Sequence, residues 1–381
     1  MTDERPERTS PEREPWIPFF ATCAAGTEVA LKDELRELRM HRVRADRGGV
    51  RFEGSMEEAF RACLWSRIAI RILMPIARFP AADGEALYEG ARAIEWERWI
   101  SPGHTLAVSA VSKKSALTHT NFVAQRTKDA IVDRLREREG ARPDVHRDDP
   151  DVSVFVHLAN DEAAVHLDLA GESLHRRGYR TVAGEAPLKE TLAAAMLRIC
   201  GWDRVRPLVD PCCGSGTIPI EADLWARDVA PQLGRDRFGF ERWASHDESL
   251  RAIARRLRDE ARAKEHDGPP IAGSDVDARV IITAETNARR AGSRVRFRRA
   301  PLRDLQATEP PAHIIANLPY GHRIEVGDVY RDLAEALPRL RGSTLSLLLQ
   351  EPPPAGLLPR PAASHELWNG RIPCRLVTYR L

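Results

Sequence analysis

The chain has 381 residues, more than one typical domain needs, so its length predicts roughly two to three domains. With 43% hydrophobic and 30% charged residues, the composition is that of a globular protein and excludes predominant disorder, collagen-like repeats and a membrane architecture. The net charge is only +2, so any binding of nucleic acid would have to depend on local clusters of basic residues.

The cysteines and the N-terminus indicate a reducing compartment. The six cysteines form no CxxC pair and no Cys/His spacing, so neither a metal site nor a disulfide framework is predicted. Residues 1–15 are charged and proline-rich without an apolar stretch, which is typical of a disordered tail and not of a signal peptide. Because no later stretch has the length of a membrane span, we expect a cytoplasmic protein without a membrane partner.

Two small α+β units are predicted in the first half of the chain. The elements expected in the first unit, residues 16–80, are strands at 16–20, 48–52 and 68–73 and helices at 29–38 and 56–65. Those expected in the second unit, residues 81–172, are helices at 88–96 and 120–139 and strands at 105–111, 152–157 and 164–169. Residues 173–185 combine Gly and Pro with concentrated positive charge, which predicts a linker.

Strands and helices alternate in residues 186–381, which predicts a doubly wound, mainly parallel sheet of the Rossmann-like α/β class. The expected strands lie at 206–210, 271–275, 295–298, 313–317 and 345–350, and the expected helices at 188–200, 217–230 and 278–291. Residues 231–270 form a helical insertion whose Arg-rich helix, 249–264, is predicted to be solvated on nearly all sides.

The segment from Asp210 to Thr217, DPCCGSGT, follows a predicted strand and opens a helix. Its glycines let the backbone approach a ligand closely, and the helix N-terminus offers N–H groups to an anion. The segment lacks both GxGxxG and the GK[ST] of a phosphate-binding loop, which disfavours a nucleoside triphosphate. S-adenosylmethionine suits it better, because amides can hold its carboxylate while Asp210 and Asp275 accept from ammonium and hydroxyl groups. Asp275 alone would be better explained as a turn or cap residue, and its pairing with the loop favours a binding role.

A second motif, Asn317-Leu318-Pro319-Tyr320, ends another buried strand. The amine nitrogen of a nucleobase is a poor nucleophile because its lone pair is delocalised into the ring. If the Asn317 side-chain oxygen and the Leu318 carbonyl each accept one amine hydrogen, the lone pair points at the donor's methyl group, and Tyr320 can stack on the base. The tetrapeptide alone fits an ordinary turn, but both motifs are predicted at carboxyl ends of strands in one sheet, where ligands bind.

The chain resembles the THUMP-domain RNA guanine-N2 methyltransferases, which have a Rossmann-like catalytic domain. The resemblance is carried by Leu174-His-Arg-Arg-Gly-Tyr-Arg180, by Ala186-Pro-Leu-Lys-Glu190, by the glycine loop extended through Ile218-Pro-Ile-Glu-Ala222, and by Asn317-Leu-Pro-Tyr-Gly321. It implies that residues 16–80 are a ferredoxin-like domain, that residues 81–172 are an RNA-binding THUMP domain, and that guanine N2 is the acceptor. It also implies that the catalytic motif is Asn317 to Tyr320 and that the methyl donor is held by Gly214, Ser215, Gly216, Thr217, Asp275 and Val276.

The sequence departs from that family after the predicted strand at 295–298. Relatives typically carry an acid directly after the alanine to contact the adenine amino group, whereas Pro301 follows Ala300 here. Asp304 or backbone groups near Leu302 are the expected substitutes. Leu318, where related rRNA enzymes usually have a second proline, favours the branch that methylates the acceptor stem of tRNA, with large-subunit rRNA as the alternative.

Basic residues in the front half are candidate phosphate contacts. They are Lys113, Lys114, Arg126, Lys128, Arg176 and Arg177. Each of them alone is better explained as an ordinary solvated surface charge. Two other classes stay open: methylation of adenine N6 in DNA or of a protein glutamine, and a non-catalytic RNA-binding protein on the same fold. The intact glycines and Asn317 argue against the last, and we expect a monomeric or weakly associating enzyme.

Overall fold

The computed structural model describes residues 16–146, 148–180, 188–318 and 326–381. The predicted tail at 1–15 and residues 181–185 of the predicted linker lie outside these ranges. In the front half, the helices are α1 (Glu28–Glu37), α2 (Met56–Trp65), α3 (Gly84–Arg92) and α4 (Thr120–Glu139). The strands are β1 (Ile17–Thr22), β2 (His41–Asp46), β3 (Gly49–Gly54), β4 (Arg71–Pro80), β5 (Thr105–Lys113), β6 (Asp144–Val145), β7 (Val152–Ala159) and β8 (Glu162–Asp168).

The two predicted front units share one eight-stranded sheet, in the order β2-β3-β1-β4-β8-β7-β5-β6. Strand β4 joins them, because Arg71 to Leu73 pair with β1 while Leu73 to Pro80 pair with β8. The strand predicted at 68–73 therefore begins and ends later than expected. It continues through Pro75 because the register shifts there, and a bulge is a place where a strand tolerates proline.

The back half confirms the predicted doubly wound sheet. Its helices are α5 (Glu190–Ile199), α6 (Thr217–Ala226), α7 (Glu248–Arg262), α8 (Ala278–Ala291) and α9 (Val326–Ala336). Its strands are β9 (Leu208–Asp210), β10 (Ile271–Asp275), β11 (Arg296–Arg299), β12 (His313–Asn317), β13 (Thr344–Leu349), β14 (Ala363–Asn369) and β15 (Ile372–Arg380). The order is β11-β10-β9-β12-β13-β15-β14, in which the first five strands are parallel and β15 runs antiparallel to both of its neighbours.

The insertion at 231–270 is not a solvated excursion, and that prediction was wrong. Helix α7 buries Ala254, Leu257 and Ala261, and it packs against α2 of the front half. The ring of Phe240 stacks on Phe60 with 3.5 Å between the ring centroids. The prediction failed because the helix sequence contains more arginines than buried apolar residues, so its narrow apolar stripe is not obvious. The insertion therefore holds the front and back halves together.

Gly26 provides a second contact between the halves and yields a stability prediction. Its φ is +86°, and a Cβ there would lie 2.3 Å from the carbonyl oxygen of Glu366 in β14. Gly26→Ala is expected to lower the free energy of unfolding by roughly 2–4 kcal/mol, because strain and a backbone clash add together. Gly48→Ala is the matched control: its φ is +75° with open space around it, so a loss of only about 1 kcal/mol is expected. Equal losses in urea unfolding would contradict this account of Gly26.

Within the described ranges, no helix is both long and apolar enough to cross a bilayer. The same residues contain no group of three or more His, Cys, Asp or Glu side chains arranged to hold a metal ion.

Candidate functional site

The two predicted motifs lie side by side at one edge of the back sheet. Strand β9 ends at Asp210 and β12 ends at Asn317, and these strands are parallel neighbours through the pairs Leu208↔His313 and Val209↔Ile314. The chain runs outward from β9 to β10 and β11 and then returns to place β12 on the other side of β9. This reversal is the topological switch point at which open α/β sheets bind ligands.

The glycine loop makes a tight turn from β9 into α6. Gly214 and Gly216 have φ values of +50° and +85°, which favour glycine. The turn is tied to the next strand, since the amide of Cys213 donates to the Ser274 carbonyl at 2.9 Å. A Cβ at Gly216 would lie 2.9 Å from the Phe297 ring, whereas one at Gly214 would meet open space. Gly216 is therefore needed for packing, and Gly214 leaves room beside the loop.

Two acids border this loop. Asp275 at the end of β10 accepts the amides of Gly214 at 3.1 Å and Asp277 at 3.0 Å, which leaves lone pairs on both carboxylate oxygens for hydroxyl groups. Asp210 is 1% exposed. Burial raises the pKa of Asp210 to about 8, the Cys212 amide partly offsets this, and the charge of Asp275 adds to it. A cation such as an ammonium group would stabilise charged Asp210.

The segment after β11 returns to the end of β10. The amide of Ala300 donates to the Asp275 carbonyl at 3.0 Å, so the candidate adenine contacts are brought close to that acid. Val276 is 51% exposed and offers an apolar surface. The Leu302 side chain is buried in the core, so this residue could offer a ligand only its backbone, while Asp304 is exposed on the same short turn.

Asn317 presents an unsatisfied acceptor at the end of β12. In the described part of the chain, its Oδ1 atom is buried and has no hydrogen-bond partner. Buried polar atoms of this kind are uncommon and call for an explanation such as a functional role. The Leu318 side chain is buried, which anchors the backbone just after Asn317. Pro319 and Tyr320, the other two residues of the predicted motif, lie outside the described residues.

Two side chains that sequence reasoning did not assign to the site, Arg180 and Asn287, support the loop. Arg180 donates to the Thr217 hydroxyl at 2.8 Å and pairs with Glu190 at 3.1 Å, so it holds the first residue of α6. The buried side chain of Asn287 in α8 donates to the Ser215 carbonyl at 3.0 Å. Arg180 belongs to the segment that carried the family resemblance, which was a usable signal. Asn287 gave no such signal, because a polar residue in the middle of a helix does not by itself indicate a site.

Four of the six predicted phosphate contacts are accessible. Lys113 and Lys114 are exposed at the end of β5. The Lys128 side chain is 33% exposed beside Asp129, and that of Arg176 is 67% exposed beside Glu172. Ion pairs at such exposed positions contribute little free energy, so these cations can exchange their partners for phosphates.

The other two predicted phosphate contacts have structural roles instead. The Arg177 side chain is only 1% exposed, and it donates to the Leu174 and Arg67 carbonyls while facing Glu221 at 3.5 Å. It is buried because it joins the front half to α6. Arg126 donates to Glu85 and to the Gly84 carbonyl, and its guanidinium lies 4.1 Å from the Tyr88 ring centroid. These contacts tie Arg126 to α3.

A cleft of about 980 Å³ lies where the predicted linker, the insertion and the back sheet meet. Its lining includes Arg176, Arg180 and Lys189. Burial lowers the pKa of His175 in this cleft to about 4, with added repulsion from Lys189 and Arg176. The cations around His175 contribute a positive potential to this part of the cleft, which favours a polyanion.

Sequence comparison finds three matching families. Residues 18–73 match an RlmL ferredoxin-like domain, residues 81–168 a THUMP domain, and residues 177–351 an RMKL-like methyltransferase domain. The ribosomal RNA large subunit methyltransferase K/L of Methylococcus capsulatus is 45% identical over 379 residues, which are 95% of this chain and 51% of that relative. The chain thus spans about half the length of the curated relatives it matches.

Two solved structures match nearly the whole chain. A proposed methyltransferase complexed with SAH has a TM-score of 0.85 and 32% identity, covering 96% of this chain and 98% of that one. A Listeria monocytogenes protein, described as a predicted N6-adenine-specific DNA methylase, has a TM-score of 0.83 and 30% identity, covering 96% of each chain. The back half has the fold of class I methyltransferases. The chain belongs to the THUMP-domain methyltransferases, whose ferredoxin-like and THUMP domains precede the methyltransferase domain.

Proposed function

We propose that this protein methylates the exocyclic N2 amino group of a guanosine in large-subunit rRNA, with S-adenosylmethionine as the methyl donor. The observation that carries the proposal is the placement of the glycine loop and Asn317 on the adjacent strands β9 and β12. A methyl donor bound to the loop and an acceptor base bound at Asn317 would therefore meet across the boundary between β9 and β12. When bound, S-adenosylmethionine supplies an electrophilic methyl group on a sulfonium.

The residues of the loop suit this donor. Asp210, buried and with a raised pKa, would regain its charge beside the ammonium of the methionine part. Asp275 keeps lone pairs for the ribose hydroxyls, and the open space beside Gly214 lets the ligand approach the backbone. Val276 and the turn from Leu302 to Asp304 would border the adenine.

The residues at the end of β12 prepare the acceptor. The unsatisfied Asn317 oxygen and the Leu318 carbonyl accept the two hydrogens of the amine, which directs the nitrogen lone pair toward the loop. From their residue types alone, Tyr320 is expected to stack on the base and Pro319 to restrict the backbone. No dedicated base is needed, because the N–H proton becomes acidic only after methyl transfer and can leave to the acceptors or to water.

The comparisons favour rRNA over the tRNA predicted from Leu318. The relatives that are 38–45% identical over 94–95% of the chain carry names of rRNA large subunit methyltransferases. A single Leu in place of Pro is weaker support than identity over the whole chain. The positive cleft beside the loop and the exposed Lys113, Lys114, Lys128 and Arg176 provide the surface for RNA.

The test is transfer of labelled methyl from S-adenosylmethionine into protein-free large-subunit rRNA, tRNA and DNA, followed by nucleoside analysis. We expect N2-methylguanosine in rRNA only. Label in tRNA would restore the substrate predicted from Leu318, and N6-methyladenine in DNA would support the function in the Listeria protein's description. Label in none of the three, with intact donor binding, would contradict the proposal.

A further inference from the structure

A second cavity, of about 830 Å³, lies away from the methyl-donor loop in the front half. It is bounded by α4, by β5 and β7 of the front sheet, and by the segment that begins at Gly171. One edge of β5 pairs with β7, and on its other edge β6 pairs only with Thr105 and Leu106, so the rest of that outer edge has no strand partner among the described residues. The cavity opens beside that unpaired part of β5.

Phe155 is the aromatic wall of this cavity. It is half-buried on β7, opposite Ser109 of β5 and His166 of β8, and Ser153 and His157 are its neighbours on the same face of its own strand. The two serines border the cavity as well. Because the two serines are small, they leave the cavity side of the Phe155 ring accessible to a flat ligand. The His166 ring lies on the other side, 6.1 Å away between centroids.

Polar groups on α4 complete the lining. Asn121, Gln125 and Lys128 are spaced four and three residues apart, which places them on one face of the helix, and all three border the cavity. Amide side chains both donate and accept, as the edges of unpaired nucleobases require. Lys128 adds a cation for a phosphate.

The cavity adjoins the 980 Å³ cleft, whose lining includes Arg180, the hydrogen-bond partner of Thr217 in the donor loop. His175, Arg176 and Lys189 line both spaces. A strand of RNA could therefore extend from Phe155 along Arg176 and Lys189 toward Arg180 and Thr217. A duplex does not fit this arrangement, since stacking on Phe155 needs a base that is released from pairing.

We propose that this cavity binds an unpaired nucleotide of the RNA substrate. The base stacks on Phe155, the amides of Asn121 and Gln125 contact its edge, and Lys128 and Arg176 contact the flanking phosphates. The inference rests on the proposed function in that the ligand is RNA. It adds that the enzyme holds single-stranded RNA at a second position, remote from the target base.

The test measures fluorescence anisotropy of a labelled, unstructured RNA octamer, and of the same octamer in a blunt duplex, with the full chain and without S-adenosylmethionine. We expect the single strand to bind more tightly than the duplex. Phe155→Ala should weaken binding of the single strand by roughly tenfold, because one base loses its stacking surface. Phe155→Trp keeps a stacking surface and should retain the affinity.

Phe122→Ala is the matched control, because Phe122 is an exposed aromatic residue on α4 that is not part of the cavity lining. Its affinity should stay at the wild-type level. Unchanged binding by Phe155→Ala, or equal affinity for the strand and the duplex, would overturn the inference. Because the readout is binding without the donor, an enzyme that fails to methylate rRNA but loses single-strand affinity on Phe155→Ala would refute the proposed reaction and keep this site.

Discussion

Asn317→Ala should lower the rate of methyl transfer by at least roughly 10²–10³-fold, while S-adenosylmethionine still binds. The Asn317 oxygen is buried without a hydrogen-bond partner in the described part of the chain, so it is available to orient the amine. Its loss would leave the nitrogen lone pair undirected. Asp210 ends β9 and the glycine loop connects β9 to α6, so both would remain in place. Single-turnover rates and calorimetric titration with the donor measure the two properties separately.

The matched variant for this experiment is Asn317→Asp, which keeps an acceptor oxygen at the same position. It should retain more activity than Asn317→Ala, because the carboxylate oxygen still accepts a hydrogen bond from the amine. The comparison that matters is between rates at saturating donor. If the alanine variant turned over at the wild-type rate, Asn317 would have no role in orienting the acceptor.

Segments with strong local signals could be predicted closely from the sequence. The predicted bounds of α2, α4, α8, β10 and β12 are those observed. Helix α2 begins with a capping box formed by Ser55 and Glu58, and α8 ends at Gly292 in the left-handed conformation. These local stop and start signals do not depend on the rest of the fold. The same pattern of strands and helices predicted that both motifs lie at carboxyl ends of strands in one sheet, whereas the adjacency of β9 and β12 is seen only in the structure.

Features that depend on tertiary contacts could not be predicted in the same way. Strand β4 extends through Pro75 because β8 pairs with it, and nothing near Pro75 in the sequence reveals that partner. Arg177 resembles Arg176 in sequence, yet one side chain is buried against Glu221 and the other is exposed. Their difference arises from α6, which begins 40 residues later. Basic residues in a linker therefore need the structure before they can be divided into structural and RNA-binding groups.

Gly214→Ala is expected to weaken binding of S-adenosylmethionine by at least roughly tenfold while the midpoint of thermal unfolding falls by only a few degrees. Apart from its chain neighbours, the added methyl group meets no atom of the described residues within 4 Å, so its steric effect falls on whatever occupies the space beside the loop. At Gly216 the same change meets the Phe297 ring at 2.9 Å, so Gly216→Ala should destabilise the fold as well as the site. Calorimetric titration and thermal unfolding of both variants distinguish these effects. Wild-type donor affinity in Gly214→Ala would show that the donor does not approach this part of the loop, and the binding site would then have to be placed elsewhere along the edge formed by β9, β10 and β12.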